Sequence, residues 1–176
     1  MVARSNLRPL LSGGDRRSIA QSNRAYQLVR AHPARIDELA ALAADDDWLV
    51  SMRALDLLEK IAHEQPKLVH RHKRLFLGPH AESDKWEIRL QIVRALPLLQ
   101  LTARERKRAI EILRRNVAYP QTFVRAWALD SLAAFAESDR RLMRMVKPLV
   151  AQFERSESKA LQARARNIRA RLEALR

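Results

Sequence analysis

The sequence has no cysteine, only 3 glycines and 7 prolines in 176 residues, and few aromatic rings. Without cysteine, disulfides and cysteine-ligated zinc are excluded, and a reducing compartment suits the chain. Scarce aromatics argue against a large sheet, which draws on aromatic and β-branched side chains. No stretch approaches the roughly 18 apolar residues of a membrane span. Residues 1–14 hold no apolar run long enough for a signal peptide. A soluble, cytoplasmic chain is expected. Acidic residues are also in deficit, 20 against 34 basic, for a net charge of +14. That surplus either draws phosphate polymers and anionic membranes or simply solvates helix faces.

What is present favours helix. Ala, Leu and Arg dominate, all good helix formers, and 47% of residues are hydrophobic, which argues against global disorder. The length fits one domain with a continuous core.

The main signal is a helical phrase written several times. It reads Val124-Arg125-Ala126-Trp127-Ala128-Leu129-Asp130-Ser131-Leu132 in its fullest form. Earlier copies start at Val50 and Ile88, so the steps are 38 and 36 residues, and a degraded copy starts at Leu161. The apolar positions recur at helical spacing: Val50, Ala54, Leu55, Leu58; Ile88, Ile92, Val93, Leu96; Val124, Ala128, Leu129, Leu132. A fixed period in this range marks a stack of repeated units. A shorter match, from Ser22 to Val29, predicts a truncated first copy acting as an end cap.

Turn and cap residues divide the chain between the copies. Residues 1–14 carry loop chemistry and predict a flexible basic arm, and 15–176 one domain. Asp15 is expected to cap a helix reaching Ala31, and Pro33 to open the next. Asp45-Asp46-Asp47 predicts a turn and a cap for the helix at Trp48. Helices are expected from Pro66 to Leu77 and from Trp86 to Leu99, the latter kinked or shortened by Pro97. Thr102 with Glu105 has capping-box spacing. Thr122, Ser138 or Asp139, and Ser156 or Ser158 are read as the last caps.

These phrases resemble the HEAT repeat, whose second helix reads Val-Arg-x-x-Ala-x-x-Ala-Leu. Ile88-Arg89 and Val124-Arg125 match the Val-Arg step, and Ala54, Ala128 and Ala165 the small residue. Pro148 sits where that family's first helix often has a proline. The resemblance covers about residues 33–175. It departs at Ser51, which stands where Arg is expected, and at Ile92, where a small residue is. It implies an all-α, right-handed α-solenoid of about four HEAT-like helix pairs, with the phrase helices lining the concave side. The expected function is a non-enzymatic scaffold for protein–protein interaction, with Asp56, Glu59, Glu87, Trp127 and Asp130 on the concave face.

The alternative is nucleic-acid binding through basic helix faces. The segments before the phrase helices hold 15 basic and 4 acidic residues, against 6 and 11 in the segments bearing the phrase. Three clusters stand out: Lys67, His70, Arg71, His72, Lys73 and Arg74; Arg104, Arg106, Lys107, Arg108, Arg114 and Arg115; Arg140, Arg141, Arg144 and Lys147. Each is either a solvated face or part of a phosphate-binding stripe. Arg53, Arg89, Arg94 and Arg125 either touch phosphates in a concave groove or pair with acids of neighbouring turns such as Asp47, Asp84 or Glu87, the pairing being the expectation. Trp48, Trp86 and Phe123 recur at nearly one repeat position and are expected in the core between repeats, whereas Trp127 is either core packing, the favoured reading, or an exposed aromatic for a stacking or hot-spot role.

A third reading also rests on resemblance. HEAT-like alkylpurine DNA glycosylases hold damaged duplex in a concave groove with tryptophans, a carboxylate and basic residues. Trp48, Trp86, Trp127, Asp130 and Arg125 supply those residue types. No glycine-rich phosphate loop or nucleophile–base set is present, so no enzyme, cofactor or metal is expected. His70 and His72 are two apart and diverge on a helix, which is wrong for a zinc pair.

Overall fold

The structure is a computed structural model and describes residues 6–174. Helices run in chain order: α1 (Arg8–Leu11), α2 (Ser22–Ala31), α3 (Ile36–Leu42), α4 (Trp48–Glu64), α5 (Pro66–His70), α6 (Arg74–Leu77), α7 (Trp86–Ala95), α8 (Ala103–Val117), α9 (Thr122–Ala136), α10 (Arg140–Glu154) and α11 (Lys159–Glu173). No strand occurs among the described residues.

The phrase helices α4, α7, α9 and α11 form one row, each packed on the next. The helices before them, α3, then α5 with α6, then α8 and α10, form a second row that packs mainly on the first. The first is called the inner row and the second the outer row below. Val50, Ala54, Leu55, Leu58, Ile92, Val93, Leu96, Ala128, Leu129, Leu132, Leu161 and Ala165 are all buried in a single core between the rows. Their spacing puts them on one stripe of each helix, and stacking is what covers that stripe. Ser131 locks the stack by donating from its hydroxyl to the Val93 carbonyl at 2.6 Å.

The caps explain the boundaries. Asp47 accepts from Leu49 N and starts α4. Thr102 and Glu105 form both halves of a capping box on α8. Asp139 accepts from Arg141 N and Leu142 N, and Ser158 from Leu161 N. Pro97 lies in a single 3-10 turn, Leu96–Leu98, that ends α7 early because its ring cannot continue the ladder.

Several expectations are corrected. Pro66 to Leu77 is two short helices with turns between them, not one. Gln121, not Thr122, caps α9. Asp15 caps no helix; its Oδ1 closes a turn by accepting from Arg17 N and Ser18 N. The flexible arm expected over residues 1–14 is replaced, over its described part, by α1 docked on the body. Leu7, Leu10 and Leu11 are buried. Leu7 N donates to Glu38 Oε1 at 2.6 Å, and Arg8 pairs with Asp45 at 2.7 Å. Three leucines over five residues supply an apolar anchor that loop composition concealed. Residues 1–5 lie outside the described residues.

Candidate binding surfaces

On the inner row, the third and sixth positions after the first phrase residue lie outside the apolar stripe. They hold Arg53, Gln91, Trp127 and Arg164, and then Asp56, Arg94, Asp130 and Asn167. Four of them, Arg94, Trp127, Asp130 and Arg164, build a ladder across the four helices together with Glu59 and Arg171. Glu59 on α4 is fully buried, shares a hydrogen bond with His63 at 2.8 Å and is ion-paired with Arg94 of α7 at 3.0 Å. Burial pushes its carboxyl above the usual carboxylate range, against the pull of Arg94 and His63. The pair meets along one edge only: Glu59 Oε2 and Arg94 Nε are buried without a partner, as is Gln91 Oε1.

The Arg94 guanidinium lies 5.1 Å over the Trp127 ring, and that of Arg164 covers the same ring at 3.8 Å. Each cation is held by the ring's quadrupole. Arg164 then reaches Asp130 at 2.6 Å, and Arg171 reaches the other Asp130 oxygen at 2.7 Å and Glu137 at 2.9 Å. Trp127 is therefore half-buried between two arginines. Beside the α4 end of the ladder is a cavity of about 400 Å³, lined by Tyr26, Glu59, Lys60, His63 and Arg94 among others.

The phrase arginines do play structural roles, but mostly with other partners than expected. Arg53 is buried and donates to the carbonyls of Leu11, Asp15 and Ser18. Arg89 donates to the Ser83 carbonyl and to Asn116 Oδ1, and lies 4.5 Å over Tyr119. Arg125 donates to the Val117 carbonyl and lies 5.2 Å over Phe153, beside a cavity of about 620 Å³. Only Arg94 takes a carboxylate, Glu59. The turns between helices bring carbonyls, not acids, within reach of these side chains.

On the outer row, some of the basic residues are paired. Arg71 meets Asp37 at 2.7 Å, Lys73 meets Glu105 at 2.7 Å, Arg106 meets Asp139 at 3.1 Å and Arg108 meets Glu82 at 3.3 Å. Lys73 and the Thr102 backbone hold the Glu105 carboxyl down at about 2. Lys67, Arg74, Arg104, Lys107, Arg114, Arg140, Arg141, Arg144 and Lys147 are exposed and have no carboxylate partner among the described residues.

The aromatic expectation is revised as well. Trp48 and Trp86 are half-buried at the turns, outside the core, and Phe123 is 55% exposed. Trp86 stacks on Phe123 with centroids 6.4 Å apart, and Lys85 lies 5.6 Å from the Trp48 ring. These rings sit at the starts of the inner helices, where the chain leaves the stack. The fold thus keeps Trp48 and Trp86 at the turns, while Trp127 and Asp130 share the inner face of α9. Among the described residues, no group of three or more His, Cys, Asp or Glu could hold a metal ion. His72 instead pairs with Asp37.

Sequence reasoning missed Arg164 and Arg171 as members of the ladder, and His63 as a partner of Glu59. The signal was the repeat register itself: Arg164 falls at the same phrase position as Trp127.

Comparison with known proteins gives the architecture a name. An engineered protein solved by crystallography is similar at a TM-score of 0.66 and 18% identity, over 96% of this chain and 80% of that one. The chain is an α-solenoid. Two designed armadillo repeat proteins match at TM-scores of 0.64 and 0.63, with 16% and 18% identity. Each match covers 97% of this chain, and 80% and 81% of the designed chains. The first of these was solved in complex with the peptide (KR)4. No family model and no curated protein matches the sequence. At these identities the likeness establishes an armadillo-like repeat scaffold fold. Among the described residues, no helix is long and apolar enough to cross a membrane.

Proposed function

We propose that the chain is a non-enzymatic protein-interaction scaffold of the HEAT-like kind, acting in the cytoplasm, whose inner row takes an extended segment of a partner protein. The observation that carries this reading is the inner ladder. It runs across α4, α7, α9 and α11 with half-buried Trp127 at its centre and a buried carboxylate, Glu59, engaged along one edge. An aromatic ring among fixed hydrogen-bonding groups is the usual composition of an interface hot spot. The designed armadillo repeat protein in complex with (KR)4 lends the scaffold role a precedent in the same fold.

Two helices in three of the four units, α3 with α4, α8 with α9 and α10 with α11, and Pro148 inside the outer helix α10 support the HEAT-like form. The test is selection of peptides from a random library on the immobilised chain, followed by titration of the best binder. Trp127→Ala and Arg94→Gln are each expected to weaken it at least tenfold, about 1.4 kcal/mol or more. Unchanged affinity in both variants, with native helicity retained, rules out the inner row.

A further inference from the structure

The inner row leaves the net charge of +14 unexplained, because most of its charges are ion-paired, inside the ladder or beside it. The surplus shows on the outer row, and two ion pairs there set its geometry. Lys73 of the turn before α6 joins Glu105 of α8, and Arg106 of α8 joins Asp139 at the start of α10. These pairs hold the N-terminal ends of α6, α8 and α10 beside one another. They also occupy the acids of that edge. Glu105 lies far below its usual carboxyl value, and Asp139 is likewise lowered by its backbone hydrogen bonds and Arg106.

Around the two pairs stand Arg74, Arg104, Lys107, Arg140, Arg141 and Arg144. All are exposed, and none has a carboxylate partner among the described residues. Each lies within about one and a half helical turns of a paired residue, so the six gather at the N-terminal ends of α6, α8 and α10 that the pairs hold together. Glu111, one turn beyond Lys107 and itself exposed, marks where that run ends on α8.

We infer that this outer edge binds the sugar-phosphate backbone of duplex nucleic acid. Three observations narrow the partner. Five of the six cations are arginines, whose planar fork matches phosphate oxygens in pairs. The large hydrophobic residues exposed among those described are Ile19 and Phe123, neither on these helices. A single strand would want rings to stack its bases on, and a membrane would want apolar side chains to insert, so the edge suits neither. A duplex asks only for phosphate contacts, and it offers about one negative charge per 1.7 Å of axis. Backbone contacts carry no base information, so this binding is expected to be independent of base sequence.

The experiment is fluorescence anisotropy of the full chain with labelled duplexes of about 20 base pairs, DNA and RNA in separate arms, from about 50 to 200 mM salt. Six phosphate contacts give a slope of log affinity on log salt of about −5. Arg104→Gln with Lys107→Gln, and Arg140→Gln with Arg144→Gln, each reduce that slope by about two. Glutamate at all four positions abolishes binding at about 100 mM salt. Arg24→Gln removes an exposed cation on α2, outside the edge, and leaves the slope unchanged. The glutamine pairs carry the test if the glutamate variant fails to fold, as circular dichroism will show. Four results overturn the assignment: no binding at about 50 mM salt, an unchanged slope in both glutamine pairs, tighter binding to single strands, or equal competition by polyglutamate. Loss in one duplex arm alone identifies the form of nucleic acid and keeps the assignment.

Discussion

On the inner row Asp130 accepts from both Arg164 and Arg171, while on the outer row Arg140, Arg141 and Arg144 face solvent with no carboxylate partner among the described residues. The contrast follows from packing. Inner helices touch both neighbours in their row, so charges between them lose water and must find partners. Outer helices pack mainly on the inner row, and their far faces stay hydrated. Nothing in the stability of the fold demands that those charges be neutralised. A repeat scaffold of this shape can therefore hold a paired, rigid surface and an unpaired, electrostatic one on opposite rows of one core.

The sharpest way to break that contrast is at Arg53. It is an inner-row arginine whose partners are three carbonyls of residues 11–18, so it ties the N-terminal segment to α4. Arg53→Ala removes charge-assisted bonds from a site that is 2% exposed and leaves buried acceptors unmet. The expected cost is roughly 3 kcal/mol in chemical denaturation. Limited proteolysis should then cut between α1 and α2 well before global unfolding. Cleavage elsewhere first would show that this arginine does not anchor the segment.

A matched pair comes next. Asp130→Ala strips two arginines of their acceptor, and those arginines are partly solvated, so the loss is about 2 kcal/mol rather than the larger value of a fully buried pair. Arg140→Gln, on an exposed outer site, should change stability by no more than about 0.5 kcal/mol. Denaturant midpoints of the two variants measure both. Equal costs would erase the distinction between the rows.

Much of this was legible beforehand. The period of Val50, Ile88 and Val124 located every inner helix, because helical burial repeats with the stack. Asp47, Thr102 with Glu105, and Ser158 worked as caps because capping is a local matter. The ladder was harder to read. Trp127 meets Arg164 across 37 residues, and Glu59 meets Arg94 across 35, through contacts that only stacking creates. The docking of Leu7, Leu10 and Leu11 was hidden for a related reason. Their burial depends on a surface presented by α2 and α4, and Gly13 and Gly14 nearby suggested only loop. The division of the basic clusters into paired and unpaired members was likewise invisible, since Glu105 and Asp139 choose among several lysines and arginines by position in space.

The smallest effect concerns pH, where the two rows should respond with opposite sign. Glu105 on the outer row is held at about 2, chiefly by Lys73 and the Thr102 backbone, below its ordinary 4.5. Its contribution is complete above about 4.5 and is lost as pH falls through that value towards 2. Glu59 on the inner row is shifted upward by burial. Above its folded value the buried charge weighs against folding; as pH falls through that value the carboxyl takes up a proton in the folded state first. That unfavourable contribution then fades, and it is gone once the unfolded chain is protonated as well. Carbon-detected NMR titration of the two carboxyls should find Glu59 protonating first on acidification and Glu105 last. Glu105→Gln should flatten the fall in stability below about pH 4.5, whereas Glu59→Gln should lower the neutral-pH penalty while releasing Arg94. If the two carboxyls titrate together near 4.5, neither the burial of Glu59 nor the clamp on Glu105 operates in solution.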